Sequence, residues 1–221
     1  MLNRHLSQRR SELKPEVSVI IVSYNTCAMT ASAVQSVLNQ TAEISLEIIV
    51  VDNDSKDGTV SFLQKNFPSI KIVPNPYNGG YAYGNNIGIA LSQGRYVLIL
   101  NPDAEIRNNA LKKAISYLDM ASEVGVLGCR VRHDDGVQQS SIFRYPKLRH
   151  LIFSLVVPNR LARRSTWFGD PRYASLSRNE IQDVDIVAGC FMLVPRHVIN
   201  AVGPMDDRFF MYSEESEWCW R

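Results

Sequence analysis

The chain has 221 residues, 45% of them hydrophobic and 21% charged, with a formal net charge of +2. That length suits one sizeable domain, and the balance is ordinary for a soluble globular protein, so neither a disordered chain nor a nucleic-acid binder is expected. Cys27, Cys129, Cys190 and Cys219 stand far apart, with no CxxC pair and no Cys/His spacing for zinc, and read as buried free thiols in a reducing compartment.

The tail 1–16 is polar and lacks the apolar stretch of a signal peptide. "VSVIIVS", 17–23, is a continuous β-branched run and predicts a fully buried strand. Met29, Ala33, Val37 and Leu38 predict a helix over 27–40, and "LEIIVVD", 46–52, a second buried strand. A helix follows, with Ser55 or Asp57 as its N-cap. "IKIVPN", 70–75, is a shorter strand ended by Pro74, and "YAYGNNIGIALSQG" a helix closed by Gly94. "RYVLIL", 95–100, is a fourth buried strand, 108–121 an amphipathic helix, and "VGVLGCRV", 124–131, a fifth strand. Strict alternation of apolar strands with helices predicts an α/β fold with a mostly parallel sheet covered on both faces.

From 137 onward the alternation breaks. The stretch 140–169 carries six Lys/Arg and no acid, and its apolar run 151–158 is far short of the roughly 20 residues a membrane-spanning helix needs. Residues 184–203 predict a strand, a turn at Pro195 and a short helix. The last residues, "SEESEWCWR", stop inside an acidic and aromatic pattern with no helix stop signal, which points to a truncated chain. We divide the chain into a tail, 1–16, and one domain, 17–221, with a regularly alternating half, 17–131, and an incomplete second half, 132–221.

In open parallel sheets, ligands bind beyond the carboxyl ends of the strands. Three strands end there in polar groups: Ser23-Tyr24-Asn25, Asp52-Asn53-Asp54 and Asn101-Pro102-Asp103. A lone acid in such a place is usually a turn former, but several strand ends converging on one edge favour a site.

With these elements placed, "VSVIIVSYN", "EIIVVDNDSKDGT", "NGGYAYGNNIGI", "LILNPDAEI", "VAGCFMLVPR" and "DDRFFMYSEESEWCWR" resemble glycosyltransferase family 2 in order and content, most like the bacterial rhamnosyltransferase branch that builds surface polysaccharides. The resemblance spans 17–221 and implies a GT-A (Rossmann-like) fold and an inverting transfer of a sugar, rhamnose as the best guess. The implied donor is a dTDP- or UDP-sugar, and the implied acceptor a saccharide or polyprenol-linked sugar. Mg²⁺ or Mn²⁺ would neutralise the departing diphosphate.

On that basis Asp103 is the candidate metal ligand, and Asn101, standing where the family usually has Asp, a neutral contact to ribose or phosphate. Asp52 and Asp54 match positions that read base and ribose, although Asp54 also suits an Asx turn. Ser23, Tyr24 and Asn25 would line the base pocket through backbone contacts and the Tyr24 ring. Asn85 would hydrogen-bond the nucleotide or act as a buried helix cap. Glu105 reads as a solvated charge. Glu215 is the first candidate for general base and Glu214 the second, with Glu215 replacing the family's usual Asp; all of the acids here also suit a helix N-terminus. Gly189 would let the backbone approach a ligand, Asp185 would bind a sugar hydroxyl, and Cys190 reads as packing.

The segment 144–164 mixes Arg and Lys with Leu, Ile and Phe. It suits either peripheral contact with an anionic membrane or a solvated loop. The expected location is the cytoplasm, either free or peripheral on the inner face of the plasma membrane. The family usually continues with a His-containing segment that completes the metal site. A sugar-phosphate nucleotidyltransferase would need a Gly-rich loop after the first strand, and "VSYNTCAMT" has no glycine. A non-catalytic nucleotide-sugar-binding module stays open as the second reading.

Overall fold

The run Val17–Ser23 forms strand β1, buried along its whole length. This is the expected state of a β-branched segment covered on both faces. The computed structural model describes residues 14–41, 43–145 and 180–221. Helix α1 (Cys27–Gln40) leads to β2 (Leu46–Asn53), α2 (Thr59–Asn66), β3 (Lys71–Asn75), α3 (Gly80–Leu91), β4 (Tyr96–Leu100) and α4 (Ala110–Met120). The short strands β5 (Leu127–Gly128), β6 (Val131–Arg132), β7 (Gln138–Gln139), β8 (Ile142–Phe143) and β9 (Ile186–Val187) follow. Strand β10 (Phe191–Pro195) and helices α5 (Arg196–Val202) and α6 (Glu214–Trp220) end the chain.

The main sheet has the order β3-β2-β1-β4-β10-β5. Strands β1 to β4 are parallel, with Ser23 beside Asp52, Asp52 beside Pro74, and Ile21 beside Leu100. Their carboxyl ends therefore share one edge. Strand β10 is antiparallel to β4, and Phe191 lies beside Leu100. The turn before β10 thus reaches the same edge as the residues after β4.

Side-chain alternation splits the core in two. Val19, Ile21, Val50, Leu98 and Leu193 pack with Val34, Val37, Leu63, Leu111 and Ile115 from α1, α2 and α4. Ile20, Val97, Ile99, Met192 and Val194 pack with Ala82, Ile89, Ile199 and Trp218 from α3, α5 and α6. No helix among the described residues is long and apolar enough to cross a membrane.

Four local expectations need correction. Pro74 lies inside β3 rather than ending it, because β3 is the edge strand and can do without one N–H. Helix α3 stops at Leu91, not at Gly94. Gly94 instead lies against β1, where a Cβ would come 2.5 Å from the Ser18 nitrogen. The fifth strand over 124–131 is two fragments: Leu127–Gly128 joins the main sheet and Val131–Arg132 pairs with Gln138–Gln139. The N-cap of α2 is Gly58 in a left-handed conformation, not Ser55 or Asp57. Asp57 still accepts the Thr59 N–H at 3.1 Å, and its other oxygen takes the Cys27 N–H at the start of α1 at 2.9 Å.

Candidate active site

The loops after β1 and β2 clasp each other. The Asn25 N–H donates to Ser55 Oγ at 2.8 Å, and Asn25 Oδ1 accepts the Lys56 N–H at 2.7 Å. Asn25 and Asp54 both have left-handed backbones, with φ of 53° and 66°. Small polar side chains tolerate this region best. The hydrogen bond from the Thr59 hydroxyl holds the Asp57 carboxyl below its ordinary range, with the Cys27 and Thr59 N–H groups assisting.

Asp52 closes β2 almost fully buried, at 2% exposure. Its Oδ1 accepts the Ser55 N–H at 2.9 Å, while Oδ2 is buried with no partner. A buried oxygen without a donor is costly, and a missing ligand is one standard explanation. Asp54 instead pairs with Lys56 at the surface. Ser23 turns inward: its hydroxyl lies 3.0 Å from those of Thr26 and Thr30. The Ser23 side chain is thus committed to these hydroxyls and the Asn25 N–H to Ser55, while the Tyr24 ring is half-exposed.

Beyond β4, Asn101 and Ala104 close a turn, the Ala104 N–H donating to the Asn101 carbonyl at 3.1 Å. Asp103 is exposed on this turn and has no ion pair among the described residues. Glu105 is exposed and pairs with Arg107 at 3.2 Å, the solvated role expected of it. The Asn101 N–H donates to the Cys190 carbonyl at 3.3 Å, tying this turn to residues 188–190.

Gly189 is buried, and Tyr81 lies against it. The Tyr81 hydroxyl donates to the Gly189 carbonyl at 2.8 Å, and a Cβ on Gly189 would lie 3.1 Å from that hydroxyl. Asp185 is exposed, and its carboxylate accepts the Tyr145 N–H at 3.1 Å, which anchors β9 near the end of β8. Asn85 sits in the middle of α3 rather than at a cap. Its Nδ2 donates to the Tyr81 carbonyl at 3.0 Å, and its buried Oδ1 has no partner.

The acids of α6 follow two left-handed residues, Tyr212 (φ 69°) and Ser213 (φ 77°). Such backbone strain in non-glycine residues persists only where the surroundings enforce it. Glu217 forms an ion pair with Arg221 at 2.6 Å, whereas Glu214 and Glu215 each keep a buried oxygen without a partner. Burial pushes the Glu214 carboxyl up to about 7. Burial also raises the Cys190 thiol, and the nearby charges of Asp103 and Glu215 raise it further, so Cys190 is no ready nucleophile. Asp103 and Glu215, from two different elements, are thus both within electrostatic reach of Cys190. The Tyr81 phenol is pushed well above its ordinary value, first by burial and next by Glu215.

Sequence reasoning missed two features. One is Tyr81, whose signal was an aromatic residue four before Asn85 and so on the same helical face. The other is an asparagine cluster: Asn53 Nδ2 donates to the Gly80 carbonyl at 3.0 Å, and Asn75 Nδ2 to Asn53 Oδ1 at 3.2 Å. Of the segment 144–164, only Arg144 and Tyr145 lie within the described residues.

Asp103 is an available carboxylate, and no group of three ligating side chains occurs among the described residues. Mg²⁺ and Mn²⁺ commonly keep waters and share phosphate oxygens with one or two carboxylates.

Residues 18–203 match the family model described as glycosyl transferase family 2. An N-acetylglucosaminyl-diphospho-decaprenol L-rhamnosyltransferase of Mycobacterium tuberculosis is 26% identical over 193 residues, which cover 80% of this chain and 61% of that protein. A mannosyltransferase from Pyrobaculum calidifontis, solved with GDP-Man and Mn²⁺, superposes with a TM-score of 0.62 at 18% identity, over 98% of this chain and 57% of that one. S. aureus TarS 1-349 with UDP-GlcNAc gives 0.59 at 19% identity, over 94% and 52%. The chain spans 36% to 61% of the length of the first curated relatives it matches. The mostly parallel sheet flanked by helices is thus the GT-A architecture of these glycosyltransferases.

Proposed function

Because the chain belongs to glycosyl transferase family 2, we propose that it moves a sugar from a nucleoside-diphosphate sugar to a saccharide or lipid-linked acceptor, with inversion. One observation carries the reading: the Asn101 N–H, two residues before Asp103, donates to the Cys190 carbonyl, so the turn after β4 and the turn before β10 meet at the carboxyl edge of the sheet, where the buried Asp52 also lies near the end of β2.

In this reading the buried Asp52 Oδ2 accepts the N3–H of a uracil or thymine base, a partner it lacks within the protein. Asn101 and Asp103 lie where the diphosphate leaves. Asp103 would hold Mg²⁺ or Mn²⁺, which supplies positive charge to the departing diphosphate. Glu215 takes the proton of the acceptor hydroxyl, and Glu214, buried at the start of the same helix, is the alternative base. Exposed Phe210 and Tyr212 offer aromatic faces beside these acids. Such faces suit a sugar ring or an isoprenoid chain.

The donor is a dTDP- or UDP-sugar, with rhamnose favoured by likeness to the mycobacterial relative. We place the protein in the cytoplasm, at the inner face of the plasma membrane, where lipid-linked acceptors would be reached. Calorimetry with dTDP and UDP, with and without Mn²⁺, tests the reading on the wild type and Asp103→Ala. Metal-dependent binding that disappears in the variant is expected. Absence of nucleotide binding under every condition would overturn the donor site.

A further inference from the structure

We propose that Tyr81 is a positioning residue for the transfer step, fixing two acceptor-side segments so that Glu215 and Asp103 border one reaction space. The proposal rests on the transferase reading above.

It starts from "NGGYAYGNNIGI". On one side of α3, a Cβ at Gly84 would come 2.7 Å from Val22, and one at Gly88 would come 2.4 Å from Ile20. These glycines seat the helix directly on β1. Other residues of the same helix hold the acceptor-side half. The Tyr81 hydroxyl donates to the Gly189 carbonyl at 2.8 Å, and its backbone N–H donates to the Phe210 carbonyl at 2.9 Å. Farther along, Asn86 Nδ2 donates to the Met205 carbonyl at 2.8 Å, and Asn86 Oδ1 accepts the Met205 N–H at 2.9 Å.

Among the described residues, the hydrogen bonds of Tyr81 reach both elements that matter. The 188–190 turn is held from two sides, at Gly189 by Tyr81 and at Cys190 by the N–H of Asn101, two residues before Asp103. The Phe210 carbonyl lies just ahead of the left-handed Tyr212 and Ser213 that lead into Glu214 and Glu215. The hydroxyl proton of Tyr81 is committed to a backbone carbonyl, so the residue is not the acid or base. It acts through geometry, and displacement of a base by an ångström can cost about a hundredfold in rate.

Tyr81→Phe removes the hydroxyl and keeps the ring and the backbone N–H. Three measurements on the full chain read its effect. They are UDP and dTDP affinity with Mn²⁺, donor turnover split into kcat and KM, and iodoacetamide alkylation of Cys190 followed by peptide mass spectrometry. We expect nucleotide Kd to stay within about twofold. We expect kcat to fall about tenfold or more at unchanged donor KM. Cys190 should alkylate several-fold faster as its turn loosens. Unchanged kcat together with unchanged alkylation would overturn the proposal. So would a loss of nucleotide affinity in step with kcat, which would place Tyr81 in the donor site or the general fold. If the wild type binds no nucleotide, the transferase reading itself fails. In that case, or if the wild type binds without turnover, the alkylation rate alone decides whether Tyr81 holds the turn.

Discussion

Glu214 opens α6 with 3% of its surface exposed and one carboxylate oxygen unpartnered. Burial pushes its carboxyl from 4.5 to about 7; a backbone hydrogen bond opposes the rise and the neighbouring Glu215 adds to it. In the unfolded chain the group ionises at its ordinary value. Between those two pH values the folded state keeps a proton that the unfolded state has lost, so stability falls as pH rises through the window. Below the window there is no penalty, and above it the penalty is complete. At about 1.4 kcal/mol per pH unit, the gap sets a ceiling of roughly 3 kcal/mol. Solvent around the exposed Phe210–Tyr212 segment screens the charge and reduces this to about 1–2 kcal/mol. Glu214→Gln keeps the shape and removes the charge. It should melt close to the wild type near pH 4.5 and about 3–6 °C above it at pH 8. Thermal unfolding followed by circular dichroism across that range measures the difference, in which other titrating groups cancel. A difference that stays flat with pH, or shrinks as pH rises, would refute the reasoning.

Two further substitutions probe the framework and the base pocket. Gly80 has φ +87°, and a Cβ there would lie 2.2 Å from the Phe210 carbonyl oxygen, so Gly80→Ala should cost about 2–4 kcal/mol. Urea denaturation reads that loss, and an alanine tolerated within about 0.5 kcal/mol would contradict the close approach. Asp52→Asn replaces an unpartnered buried acceptor with a neutral amide. Stability without ligand should hold or rise, while affinity for UDP falls about tenfold or more through the lost charged acceptor. Equal UDP affinity in variant and wild type, measured by calorimetry, would remove Asp52 from the base pocket.

The parallel half was legible because continuous runs such as "VSVIIVS" and "LEIIVVD" permit little except buried strands. The carboxyl-edge rule then located Asp52 and Asp103 before any coordinates. Legibility failed where tertiary contact overrides local pattern. Gly94 carries a strong helix-stop signal, yet its role is close approach to Ser18, a residue 76 positions away in sequence. Nothing in the neighbours of Gly189 announces its contact with Tyr81, 108 positions earlier. The apolar stretch 124–131 broke in two because its antiparallel partner β10 pairs with only Leu127 and Gly128.

Strand β10 carries a consequence for how the protein is made. It fills a middle position of the sheet, and its pairing joins residues 97 and 194. On the ribosome, β1 to β4 can assemble early, but the outer edge of β4 stays open until β10 emerges. An open, apolar strand edge is a template for pairing with other chains. A nascent or proteolysed product ending near residue 131 would therefore carry Asp52 and Asp103 together with a sticky edge. Slow synthesis across the intervening stretch lengthens that exposure, so the interval between β4 and β10 is where chaperone dependence should concentrate.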